Sequence, residues 1–206
     1  ASLGDKALDV RRAYAEELGL AEADITWHVA RDGLVETVQL LGLISGSLGK
    51  MGYDVMLMMA TEVGEVFEPF ASHRGASSTM PQKRNPISSE ILVANAKAVR
   101  QHAGLMLDAM VQDFERATGP WHVEWIALPE AFILTAGALA QAKFMLEGLV
   151  VDPERMRFNL DATGGLIVAE AVMMGLAPQM GRQQAHDLVY EACREALAKK
   201  TTLFEV

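Results

Sequence analysis

The chain has 206 residues, half of them hydrophobic, with a formal net charge of −9 and a pI near 5.0. That is enough apolar material for one large core or two small ones, and the acidic balance excludes a nucleic-acid binder, whose partner demands a broad basic face. The single cysteine, Cys193, cannot close an internal disulfide; it reads as a small apolar filler in a protein of a reducing cytoplasm.

The first residues, ASLGDKALDV, mix charge with apolar positions and read as helix or loop, not as a secretory leader. A long helix is predicted from Leu34. Leu34, Leu41, Leu48 and Val55 recur every seven residues, and Ile44, Met51 and Met58 form a second series offset by three, a heptad-like seam suited to a bundle. Beside it runs a strip of small residues, Gly42, Ser45, Gly46, Gly49 and Gly52. Each glycine lowers helix propensity, so the strip implies close approach by another helix backbone. Seam and strip leave the helix apolar on most sides, more than a chain of this length buries by itself, and a homo-oligomer is expected. The window 38–59 is interrupted by Lys50 and Asp54, and 131–150 by Gln141, Lys143 and Glu147, so neither reads as a membrane span.

Between the first long helix and the next lies GASSTMPQKRNP, inside a stretch, 69–89, without an acidic residue in an otherwise acidic chain. Glycine and two serines give backbone freedom for N–H groups to line an anion. Lys83 supplies a point charge, and Asn85 places an amide at a helix N-terminus, where the dipole also favours negative charge. The pattern reads as a carboxylate or phosphate site, flanked by His73 and Arg74, which add to its positive field.

A second long helix is predicted from this loop, with Asn85 as cap and Pro86 at the first helical position. Ile87, Ile91, Ala94, Ala98, Leu105 and Ala109 mark its apolar stripe, and His102 falls on it as a hydrogen-bonded core histidine. In WHVEW, His122 and Glu124 would share a face only in an extended segment, and no third ligand accompanies them, so no metal site is expected. Trp121 and Trp125 read as packing residues. A third helix is predicted over about 129–150, with Phe132, Leu139, Leu146 and Leu149 on one side. Asp152 and Pro153 repeat the cap-then-proline pattern, and Gly164, Gly165, Pro178 and Gly181 divide the remaining chain into shorter helices. No strand pattern is visible. The class is all-α, with residues 1–150 as a central helical-bundle domain and 151–206 as a small C-terminal helical domain.

The run Ser77-Ser78-Thr79-Met80-Pro81-Gln82-Lys83-Arg84-Asn85-Pro86 resembles the active-site loop of the fumarase/aspartase superfamily, which includes adenylosuccinate and argininosuccinate lyases and the muconate cycloisomerases. Ala76 stands where that loop usually carries glycine, with Gly75 beside it to supply backbone freedom. TWHVARDGLVE, TEVGEVFEPF and ERATGPWHVEWIALPE look most like the 3-carboxy-cis,cis-muconate cycloisomerase branch, and MRFNLDATGGLIVAEAV continues the similarity weakly. The resemblance places two further motif regions, one bearing a catalytic histidine, ahead of Ala1; the chain is expected to be the C-terminal part of an enzyme about twice as long.

The resemblance implies a long-helix bundle whose active sites form where subunits of a tetramer meet, and a small anionic dicarboxylate or tricarboxylate as substrate. It implies Ser77 and Ser78 as catalytic, with Lys83, Asn85 and Arg116, and with them Thr79 and Met80, binding substrate. Donors from the protein alone would stabilise the developing negative charge, so no cofactor is implied. His28 is expected to be structural, and Arg31 with Asp32 to form an ion pair or cap at the start of the first long helix. Two other readings stay open: a fumarate-releasing lyase such as adenylosuccinate lyase, and a non-catalytic helical scaffold.

Overall fold

The computed structural model describes residues 2–70, 75, 77, 79, 80 and 82–206. Its elements in chain order are α1 (Ala7–Leu18), α2 (Asp32–Met58), β1 (Val66–Phe67), α3 (Ile87–Ala109), α4 (Gly119–Glu147), β2 (Val150–Val151), α5 (Pro153–Asp161), α6 (Ala169–Met180) and α7 (Arg182–Lys199), with single 3-10 turns before α1 and α6. The all-α expectation holds. The exception is β1 with β2, an antiparallel pair in which Val66 faces Val151 and Phe67 faces Val150. Two-residue strands are too short to leave an alternating pattern in a sequence.

The chain divides into two compact units, one of Ala1–Gly46 with Ala96–Ala136, the other of Ser47–Asn95 with Gly137–Val206. Each long helix, α2, α3 and α4, contributes one part to each unit. In the first unit Val35 and Val38 of α2 pack with Val99, Ala103 and Met106 of α3 and Ala127 and Ala131 of α4, flanked by Leu34, Leu41, Leu128 and Leu134. Polar groups there are paired, as burial requires. Ser45 and Thr135 share a hydrogen bond at 3.0 Å, and Gln39 Nε2 donates to Ala103 O at 2.7 Å. His102 Nε2 lies 2.9 Å from Glu130 Oε2, which agrees with its reading as a hydrogen-bonded core histidine.

In the second unit Val55, Leu92, Ala138, Ala142 and Met145 form the core, joined by Leu48, Met51, Met59 and Leu149. The close approach expected of the glycine strip occurs at Gly52, where a Cβ would stand 2.9 Å from Leu92 Cβ and 3.0 Å from Ser89 O. At Gly46 a Cβ would meet nothing within 4 Å. Asp152 caps α5, its Oδ1 accepting from Arg155 N at 2.9 Å with proline in the first turn. Helix α7 buries Ala185, Val189 and Ala196, and packs with α6.

Expectations for three helices are corrected. On α2 the buried positions are Val35, Val38, Ser45, Gly49, Gly52 and Val55; of the predicted seam only Val55 is among them, and its leucines flank them half-buried. On α3 the buried face is Ser88, Ser89, Leu92, Val99, Ala103, Met106 and Ala109, while Ala94 and Leu105 are exposed. The small residues let the backbones come close, so the larger ones next to them are turned aside. Helix α4 begins at Gly119, with Pro129 inside it. The proline forfeits one main-chain hydrogen bond, and the turns on both sides are held by burial of Glu124, Ala127 and Ala131. Within α4 the predicted side, Phe132, Leu139 and Leu146, is about half exposed, and the alanines form the inner face. By length and composition α4 could also cross a membrane, but a helix with an alanine face in both cores and a buried, paired carboxylate is the core helix of a soluble protein.

Candidate active site

The loop leading into α3 lies in the second unit. Ser78, like His73 and Arg74, lies outside the described residues; Ser77 does not. Ser77 Oγ accepts from Met80 N at 3.0 Å and from Thr79 N at 3.2 Å, with Thr79 Oγ1 at 3.4 Å. Two main-chain N–H dipoles thus converge on the hydroxyl oxygen and favour negative charge there. Thr79 and Met80 contribute these N–H groups to the loop.

The base of the loop is closed by Gly75. Its carbonyl accepts from Asn85 N at 3.0 Å and Asn85 Nδ2 at 2.9 Å. Gly75 has φ +68°, and a Cβ there would lie 2.7 Å from Asn85 O, so only glycine fits. Asn85 therefore serves the loop closure, and the cap expected of it is supplied elsewhere. Glu68, 6% exposed, accepts from Ser88 N at 3.0 Å, Ser89 N at 2.7 Å and Ser89 Oγ at 2.7 Å. Its carboxylate takes the free N–H groups and the positive dipole end of α3. Sequence reasoning missed Glu68; the available signal was an acidic residue among Val66, Phe67, Pro69 and Phe70, directly before the acid-free stretch.

With the helix end occupied, the positive field of the loop comes from its side chains. Arg84 is tied down: Nη2 donates to Glu68 O at 3.4 Å, and the guanidinium lies 5.5 Å from the Phe67 ring centre and 5.8 Å from that of Phe70. Lys83 is exposed, pairs with no carboxylate among the described residues, and lines the concave surfaces on either side of it, with Glu68, Phe70 and Asn85 on one and Met56, Thr61 and Met80 on the other. Among the described residues of this loop, Lys83 is the cation with no such tie.

Arg116 belongs to the first unit, in the connection between α3 and α4. It lines a pocket with Arg11, Thr26, Trp27, His28 and Arg31. The Arg116 guanidinium is 5.9 Å from the Trp121 ring centre. Trp121 meets His28 edge-on at 5.7 Å and Trp125 at 5.2 Å, and His122 Nδ1 is 2.9 Å from Thr118 O. All three tryptophans of the chain lie in this unit. The packing expected of WHVEW is present, although the segment is helical, not extended. The expected Arg31–Asp32 pair is replaced by Arg31 with Glu124, 2.8 Å apart, because Asp32 is exposed in the first turn of α2 while the buried Glu124 carboxylate needs a cation. Among the described residues no group of three His, Cys, Asp or Glu side chains could hold a metal ion.

An all-α bundle with a serine, lysine and asparagine loop entering a long helix defines a class of lyases. The comparisons agree: a family profile described as "Lyase" matches residues 6–100, and one described as "Adenylosuccinate lyase C-terminus" matches residues 165–206. The chain belongs to the fumarase/aspartase superfamily. It is 53% identical over 203 residues to the 3-carboxy-cis,cis-muconate cycloisomerase of Pseudomonas aeruginosa, covering 98% of this chain and 44% of that protein. It is 52% identical over 205 residues to trans-aconitate decarboxylase 1 of Mycosarcoma maydis, covering 100% of this chain and 42% of that one. The solved structure of the 3-carboxy-cis,cis-muconate lactonizing enzyme from Pseudomonas putida superposes with a TM-score of 0.85 at 47% identity, over 98% of this chain and 44% of that one. The chain thus spans less than half the length of the relatives it matches.

Proposed function

We propose that the complete protein is a cycloisomerase, an intramolecular lyase that converts 3-carboxy-cis,cis-muconate, or a closely related 3-substituted muconate, to its muconolactone during breakdown of aromatic acids in the cytoplasm. The observation that carries this is identity near one half along the whole chain with enzymes of that name. One carboxylate of the substrate adds across a double bond of the same molecule. A C–O bond forms, the π pair of the alkene moves to the carbon beside another carboxylate, and a proton is delivered to that carbon. No atom is lost and no oxidant is needed.

The species to be stabilised carries extra negative charge on the carboxylate next to the reacting carbon. Lys83 meets that charge directly. Ser77 and Ser78 are the proton-transfer groups; for Ser77 the Thr79 and Met80 N–H groups lower the cost of an oxyanion on Oγ. Asn85, through its second amide hydrogen, and Arg116 are each assigned to substrate carboxylate, the guanidinium matching a planar carboxylate with two parallel donors. Residues 151–206 form the small C-terminal domain in this assignment, and the protein works as a homotetramer. The wide apolar faces of α2 and α4 support self-association.

The deciding experiment supplies the full-length protein with 3-carboxy-cis,cis-muconate and follows loss of the conjugated-diene absorbance. The expected result is lactone formation without gas release. The relative named trans-aconitate decarboxylase favours a second reading, decarboxylation of another unsaturated tricarboxylate. Carbon dioxide released from trans-aconitate, with muconate untouched, would select it. Fumarate released from adenylosuccinate would select an adenylosuccinate lyase, and silence toward all three substrates a scaffold.

A further inference from the structure

Beside the Arg116 pocket lies a buried polar network that the proposed chemistry does not use. Glu124, on α4, is 5% exposed, and its Oε1 accepts from Arg31 Nε at 2.8 Å and from Gln112 Nε2 at 2.8 Å. Gln112 also donates to Ala109 O at 3.0 Å, at the end of α3. One carboxylate oxygen therefore joins the approach to α2, the body of α4 and the connection 110–118, which carries Arg116. Burying such an ion pair is no better for stability than an apolar cluster of the same volume, so its presence asks for another reason.

Elsewhere in the connection Ala117 is 5% exposed and Arg116 lies against Trp121. Phe114 of the same connection has φ +46°, a costly conformation for a bulky residue, and is 87% exposed. Of the three arginines lining the pocket, Arg11 pairs with Glu22 and Arg31 with Glu124, each at 2.8 Å. Arg116 has no carboxylate partner among the described residues and is the cation left for a ligand. We infer that Glu124, acting through Arg31 and Gln112, is a positioning residue that fixes Arg116 as the anion-binding group of this pocket. This rests on the proposed assignment of Arg116 to substrate carboxylate.

The test is a binding cycle on the complete protein. Propane-1,2,3-tricarboxylate, a saturated anion that cannot react, is titrated calorimetrically into the parent, Arg116→Ala, Glu124→Gln and the double variant. Arg116→Ala and Glu124→Gln should each weaken binding about tenfold. The double variant should bind no more weakly than Arg116→Ala alone, because both changes remove one contact. Glu124→Asp, which keeps the charge with a shorter reach, should fall between parent and Glu124→Gln, and carries the test if Glu124→Gln fails to fold. A Glu124 that is only structural would leave affinity unchanged in folded variants, or its effect would multiply in full with that of Arg116→Ala. Either result overturns the inference, as does a parent that does not bind the probe or failure of both Glu124 variants to fold. Muconate consumption by the parent is measured separately, so a wrong substrate assignment and a wrong role for Glu124 give different results.

Discussion

Lys83 and Glu68 carry opposite charges at the same loop, and their surroundings set opposite tasks. Lys83 is exposed and unpaired among the described residues, so its removal should leave the fold intact and, in the proposed reaction, the developing charge unmet. Lys83→Ala in the complete enzyme should lower kcat by a factor of about 100 or more with little change in thermal midpoint, read from steady-state kinetics and calorimetry. Glu68 is buried and satisfies two N–H groups and one hydroxyl of α3. Glu68→Ala strands those donors and should cost about 1–3 kcal/mol in chemical denaturation. Both residues flank or occupy the acid-free stretch 69–89, yet only Lys83 was legible in advance. A cation in a glycine- and serine-rich loop announces a ligand, whereas a carboxylate capping a helix about twenty residues away leaves no local mark. The same limit hid the Arg31–Glu124 pair, whose members are 93 positions apart.

At the level of helices, amino-acid size decides which face turns inward. The periodicity of α2 and α3 was plain from the sequence, and so was the role of Gly52. The buried stripe itself lies beside the one that leucine spacing predicts, because alanine, serine and glycine permit closer contact than leucine does. Gly52→Ala would drive a Cβ to 2.9 Å from Leu92 Cβ and 3.0 Å from a main-chain oxygen. The expected cost is about 1–3 kcal/mol, visible as a lower denaturation midpoint. Gly46→Ala, with nothing within 4 Å of its Cβ, should show no such loss, since there only helix propensity changes. The start of α4 was missed for a related reason: proline reads as a boundary, but here burial on both sides of Pro129 outweighs its missing hydrogen bond.

Across the molecule, several large apolar side chains of α4 point away from the cores, although Met145 is buried. Ile126, Ile133, Leu139 and Leu146 are each at least 49% exposed, and Leu40, Leu43 and Leu57 of α2 at least 54%. Such faces ask for cover. If copies of this chain provide it, Ile133→Asp in the complete protein should shift its sedimentation from tetramer toward smaller species while the monomer retains its helical circular dichroism.

The placement of the aromatic residues gives this chain an internal optical reporter. Since Trp27, Trp121 and Trp125 all belong to the first unit, indole emission from residues 1–206 tracks that unit alone, whereas far-ultraviolet ellipticity averages over both. Melting curves from the two signals that coincide would mean the units unfold as one, joined through the long helices they share; curves that separate would give each unit its own stability.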